Sequence, residues 1–159
     1  MALEDGSLQL VTFQLGEELY SVDIMKVKEI VKLQSIRTIP NSPDYIEGIL
    51  NLRKEIIPII NLHKRFDIKE SIKSEEDALL GGFIILQIKD SKIGIIIDRI
   101  ARVVEINVKD IQPPPQMITG IGAEYIQGVC NMKDGYLIIL NTERLFNTKE
   151  LQRIAELRN

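Results

Sequence analysis

The chain has no tryptophan, one histidine and one cysteine among its 159 residues, and each scarcity closes off a class of function. Cys130 has no partner for an internal disulfide, which fits a reducing compartment. His63 stands beside Lys64 and Arg65 with no carboxylate or thiol next to it; a metal centre needs three or four ligands, so this residue reads as a surface histidine. Four Phe, four Tyr and a net charge of −3 leave few stacking platforms and no basic cluster, which argues against nucleic acid as a partner. The longest apolar segments, such as "GGFIILQI" and "IGIII", fall far short of the ~20 residues that cross a bilayer. The start "MALEDGSLQL" is acidic, unlike the basic opening of a secretory signal. The expectation is a cytoplasmic protein with no direct membrane insertion.

Reactive constellations are missing as well. The chain contains no H-E-x-x-H, C-x-x-C, G-x-S-x-G or Walker lysine motif. "TGIGAEYIQG" resembles a glycine-rich phosphate loop, but it follows three prolines and leads into an apolar strand-like run instead of opening a helix, so it reads as a loop. No catalytic residue, cofactor or metal is assigned, and the chain is not expected to be an enzyme.

What the sequence has in quantity is Ile and Val, in short runs bounded by charges, Gly or Pro, and their branched Cβ atoms favour pleated strands. Ten strands are predicted: 8–15, 19–25, 27–33, 46–52, 56–62, 82–89, 92–100, 102–106, 126–132 and 136–142. The two sets of five are related. A shift of 80 residues lays "YIEGILNLRKEIIPIINLHKRF" (45–66) over "YIQGVCNMKDGYLIILNTERLF" (125–146), with seven of 22 positions identical. These are Tyr45/Tyr125, Ile46/Ile126, Gly48/Gly128, Asn51/Asn131, Ile59/Ile139, Asn61/Asn141 and Phe66/Phe146. Upstream, "VDIMKVKEI" (22–30) resembles "IDRIARVVEI" (97–106).

Internal duplication is the simplest account, and it implies a mainly β protein. Five short strands cannot cover both faces of a flat sheet, so each copy should curl into a small barrel packed on its twin, with a groove at the seam. Residues 1–159 then form a single domain of two five-stranded barrel subdomains, roughly 8–70 and 82–146. Residues 67–80 are a polar connection, and a C-terminal helix covers 148–158, capped by Asn147 with Glu150 three residues on. Cys130 lies opposite Leu50 in the duplication and so reads as a buried apolar residue. Arg53-Lys54-Glu55 becomes the tip of a hairpin. Pro58 marks its second strand as an edge or an irregular one, because proline has no N–H for the ladder.

"FQLGEELYSVDIMKVKEI", "IPNSPDYIEGILNLRKEIIPIINLHKRF" and "IGIIIDRIARVVEI" resemble the CheW family of chemotaxis coupling proteins, in order, over about residues 8–157. The resemblance implies two SH3-like five-stranded barrels and a non-catalytic adaptor. Its partners would be the regulatory domain of the histidine kinase CheA and the cytoplasmic tips of methyl-accepting chemotaxis receptors, in membrane-associated arrays. It also implies a binding role for Arg53, matching the arginine of the family's "NLRG", and for Val27, Glu29 and Val103. Lys54 departs from the family, which has Gly after that arginine. Alternative readings are a scaffold of the same family in another two-component pathway, or a small-barrel nucleic-acid binder.

Overall fold

A computed structural model describes residues 6–68, 80–114, 123–133, 135–146 and 148–156. All ten expected strands are present: β1 (Ser7–Leu15), β2 (Glu18–Asp23), β3 (Val27–Lys32), β4 (Ile46–Leu52), β5 (Glu55–Ile60), β6 (Gly82–Ile88), β7 (Ser91–Ile97), β8 (Arg99–Asn107), β9 (Ile126–Met132) and β10 (Gly135–Leu140). A short helix, α1 (Leu62–Phe66), follows β5, and α2 (Thr148–Glu156) follows the last strand. Asn147, most of the 67–80 connection and much of the second proline-bearing segment lie outside the described residues.

The strands form two five-stranded sheets, β8-β1-β2-β10-β9, called barrel A, and β3-β6-β7-β5-β4, called barrel B. The expected division into halves 8–70 and 82–146 is therefore corrected. Each barrel takes a hairpin from one copy and three strands from the other. The reason is connection length. Only Asp98 separates β7 from β8, and a single 3-10 turn, Ile24–Lys26, separates β2 from β3. A strand that returns beside its predecessor needs at least a two-residue turn of special geometry, which one residue after β7 cannot supply, while after β2 the three residues are taken up in a 3-10 turn. At these two points the chain runs on into the neighbouring sheet instead.

Each sheet is closed by one antiparallel bridge. The chain leaving β3 reaches the far edge at β4, where Arg37 and Ile49 exchange N–H···O bonds of 2.9 and 2.8 Å. In barrel A, Gln112 and Val129 do the same at 2.8 and 2.9 Å. This closure explains one repeated glycine pair. A Cβ on Gly48 would lie 2.2 Å from the Arg37 carbonyl oxygen, and one on Gly128 would lie 2.4 Å from Ile111 Cγ2 and 2.8 Å from the Gln112 oxygen.

Three apolar clusters result. Leu8, Leu10, Cys130, Leu137 and Ile139 fill barrel A, while Leu50, Ile57, Ile59, Phe83 and Ile85 fill barrel B. The largest cluster lies between the barrels and draws on both, including Phe13, Leu15, Tyr20, Ile84, Leu86, Ile95, Ile138 and Leu140. The seam is thus a packed core. Central strands bury both faces, one toward a barrel interior and one toward the seam, which is why "FIIL" (83–86) and "LIIL" (137–140) are continuous instead of alternating.

Two further expectations are corrected. β5 is interior, between β7 and β4, and is irregular without being an edge. Both backbone groups of Ile49 point to Arg37, so Pro58, opposite Ile49, turns its missing donor away from β4 and toward β7. The β5–β7 ladder accordingly holds only Ile59↔Gly94 and Ile60↔Ile95, whereas β10–β2 extends through Ile138↔Tyr20 to Leu137↔Leu19. His63 is buried, at 4% exposure, and not on the surface. The chain after Asn61 is helical, because the Asn61 side chain accepts the N–H groups of His63 and Lys64, and this turns the imidazole inward. His63 Nε2 lies 2.8 Å from Asp98 Oδ2, and the Gly16 N–H donates to the same oxygen at 2.7 Å.

Alanine at Gly48 or Gly128 forces the closing bridge apart, and each change should cost about 1–3 kcal/mol in urea unfolding. An unchanged midpoint for both variants would show that the bridges do not close the barrels. Desolvation and the neighbouring Glu18 charge raise the Tyr20 phenol to about 12. Because this folded value exceeds the unfolded one, the Tyr20 contribution is fully present below pH ~10 and is lost as pH rises toward 12. Absorbance at 295 nm should show one tyrosine ionising only with alkaline unfolding.

Candidate protein-interaction site

β3 and β4 stand at opposite ends of the strand order of barrel B, and the chain leaving β3 bridges to β4 through Arg37 and Ile49. The Glu29–Arg53 ion pair spans this junction, joining β3 to the tip of the β4–β5 hairpin. Arg53 is 71% exposed and Glu29 31%. An exposed pair of this kind adds only about 0.2–1 kcal/mol to stability, so its presence is better explained by what it presents than by what it holds together.

The hairpin turn consists of Arg53 and Lys54 alone, with Leu52 and Glu55 as the last paired residues. Both turn residues have positive φ, 49° and 69°, the type I′ geometry that matches the twist of two-residue hairpins. Lys54 therefore adopts the left-handed conformation that glycine would take without strain, and Arg53 is presented in spite of the substitution. Lys92 Nζ, 2.9 Å from Glu55 Oε2, ties the base of the hairpin to β7.

Val27 opens β3, half-buried against the inter-barrel core, two residues before Glu29. Val103 stands elsewhere, on β8, the edge strand of barrel A, with 53% exposure. The structure thus joins Glu29 to Arg53, keeps Val27 on the same strand, and places Val103 on the other barrel.

Sequence reasoning missed three exposed apolar residues along this stretch of the chain: Met25 just before β3, Ile30 within it, and Leu33 just after it. A signal for Ile30 existed. In "VKEIVKL" the half-buried positions are Val27, Glu29 and Val31, so Ile30 falls between Lys28 and Lys32 on the solvent face. An isoleucine there gains nothing from the protein's own core.

β3 thus offers exposed apolar area on one face, an oriented ion pair on the other and a place at the end of the strand order, a combination suited to binding. Among the described residues, no three His, Cys, Asp or Glu side chains are grouped to hold a metal ion. Burial, with the Asp110 charge, pushes the Cys130 thiol above its ordinary value, away from the thiolate that a nucleophile requires. Among the described residues, no helix is long and apolar enough to cross a membrane.

Residues 9–150 match the CheW-like domain family. The chain is 62% identical over 157 residues to the chemotaxis protein CheW of Treponema pallidum, covering 99% of this chain and 92% of that one. It is 30% identical over 151 residues to the chemotaxis protein CheW of Klebsiella aerogenes, covering 95% and 89%. Among solved structures, the scaffolding protein TtCheW of Thermoanaerobacter tengcongensis superposes with a TM-score of 0.80 at 40% identity, over 90% of each chain.

Lys54→Gly should raise stability by about 1 kcal/mol, since it relieves a left-handed residue at the one turn position where glycine fits best. Thermal or urea unfolding tests this; a loss of stability would mean that Lys54 makes a contact outweighing its backbone strain.

Proposed function

Because the chain belongs to the CheW-like domain family, we propose that it is a non-catalytic adaptor of bacterial chemotaxis, holding the cytoplasmic tips of chemoreceptors against the histidine kinase CheA. It acts in the cytoplasm, within receptor arrays at the membrane. The observation that carries the reading at residue level is the Glu29–Arg53 pair at the closure of barrel B, with exposed Ile30 on the other face of the same strand and exposed Leu33 just after it. A receptor's helical hairpin or a barrel of the kinase laid along β3 can bury those apolar side chains, while the charged pair on the strand's other face fixes register and excludes partners of the wrong charge pattern. Val27 supports the strand from within. Val103 gives barrel A an apolar contact of its own, so that one adaptor meets two partners on two faces.

No bond is made or broken in this mechanism. The adaptor's contribution is effective concentration: a kinase and a receptor tip on one rigid body meet far more often than they would in solution. Rigidity matters as much as affinity, because a shift in the receptor reaches the kinase only through a body that does not absorb it.

Reconstitution is the direct test. Adding this protein to a receptor cytoplasmic fragment and CheA should increase CheA autophosphorylation; no change in kinase output would overturn the adaptor reading. Arg53→Glu places two like charges at the junction and should weaken partner binding by about tenfold, the equivalent of 1.4 kcal/mol, with an unaltered melting transition. Full binding and activation by that variant would remove Arg53 from the site.

A further inference from the structure

α1 is five residues long, yet its side chains reach different parts of the fold. Leu62 lies in the core between the barrels. His63 contacts Asp98, the sole residue linking β7 to β8. Lys64 Nζ is 2.8 Å from Glu47 Oε1 on β4 of barrel B. Arg65 donates to Glu150 Oε1 of α2 at 2.8 Å and to the Leu145 carbonyl at 3.1 Å. Its guanidinium lies 5.0 Å from the Tyr45 ring and 5.4 Å from those of Tyr125 and Phe146. The Phe66 ring is 5.5 Å from that of Tyr125, which leads into β9 of barrel A.

The helix is also joined firmly to the hairpin that bears Arg53. Only Asn61 separates it from β5. Asn61 caps α1 through its side-chain oxygen, donates to Glu47 at 2.8 Å, and sends its backbone N–H to the Tyr45 carbonyl at 2.7 Å. Although partial burial opposes it, hydrogen bonds from Lys64 and Asn61 and the Lys64 charge hold the Glu47 carboxyl below its ordinary value. The anchor on barrel B is therefore an ionised one. Arg65, 16% exposed and surrounded by rings, has fixed partners whose loss would leave a charge in a largely dry setting, so it resists sliding.

We propose that α1 is a mechanical coupler: displacement of the Arg53 hairpin passes along β5 into α1 and reaches barrel A by two contacts, His63 on the crossing and Arg65 on the C-terminal tail. The coupler is not symmetric. Glu143, the counterpart of His63, pairs with Lys26 on the other crossing at 2.9 Å, but the second copy has Leu145 where the first has Arg65, so the Arg65 contact has no charged counterpart. This goes beyond the adaptor reading, and its test needs no partner, so either can fail alone.

The test records backbone amide chemical shifts before and after Arg53→Ala. In the otherwise unaltered protein, amides of Asp98, Tyr125, Leu145 and Glu150 should respond along with those of β4 and β5. With Arg65→Leu, the residue the second copy already carries, the response at Tyr125, Leu145 and Glu150 should be lost while that at Asp98 stays. With His63→Ala, the Asp98 response should be lost instead. Barrel A amides unmoved by Arg53→Ala overturn the proposal without any second variant. A response undiminished by Arg65→Leu, or by the milder Glu150→Gln if the leucine variant does not fold, overturns it equally.

Discussion

A strand that ends one residue before the next begins cannot fold back to lie beside it. Asp98 imposes that constraint between β7 and β8, the Ile24–Lys26 turn carries the chain onward at the equivalent place in the first copy, and the architecture follows. The chain crosses twice between sheets, each copy completes the other's barrel, and the barrels press together over an apolar cluster to which both contribute. The polar side of the constraint is satisfied locally: the Asp98 carboxylate receives the Gly16 N–H from barrel A and contacts His63 from the barrel B side. A buried acid at a crossing would otherwise be costly.

The duplicated residues record which constraints each copy shares. Gly48 and Gly128 admit the closing bridge. Asn61 and Asn141 both follow a strand and accept backbone N–H groups at the start of a helical turn. Ile59 and Ile139 fill the barrel interiors, while Ile46 and Ile126 face the seam. Tyr45 stacks on Phe146, and Phe66 meets Tyr125, so each copy's ring pairs with the other copy's. Nothing in the structure explains the identity of Asn51 and Asn131.

Strand positions were legible because Ile and Val runs bounded by Gly, Pro and charge have few other ways to satisfy their backbone groups. Pairing was less so. Similarity between 45–66 and 125–146 reports common ancestry, and ancestry does not say whether a copy closes on itself or on its twin; only the length of the Asp98 connection carries that information. His63 was misread because a capped helix of five residues is too short to show a helical period, and burial then depends on a carboxylate 35 positions away. At the interaction site, Arg53 and its hairpin could be read from the duplication and the family resemblance. Ile30 was legible only as an apolar residue alternating with Lys28 and Lys32, and the burial pattern of β3 shows that this face meets solvent.

Strand exchange also orders events during synthesis. β3 to β7 are consecutive, so barrel B has all its strands once the chain has been made as far as Ile97. β1 and β2 precede the other eight strands, yet their sheet mates β8, β9 and β10 follow all of barrel B, and until those emerge the β1–β2 hairpin has two unmatched edges. The first two of the ten strands are thus among the last to find their place. Through that interval the nascent chain holds a finished barrel beside a hairpin whose edges must be kept from other strands.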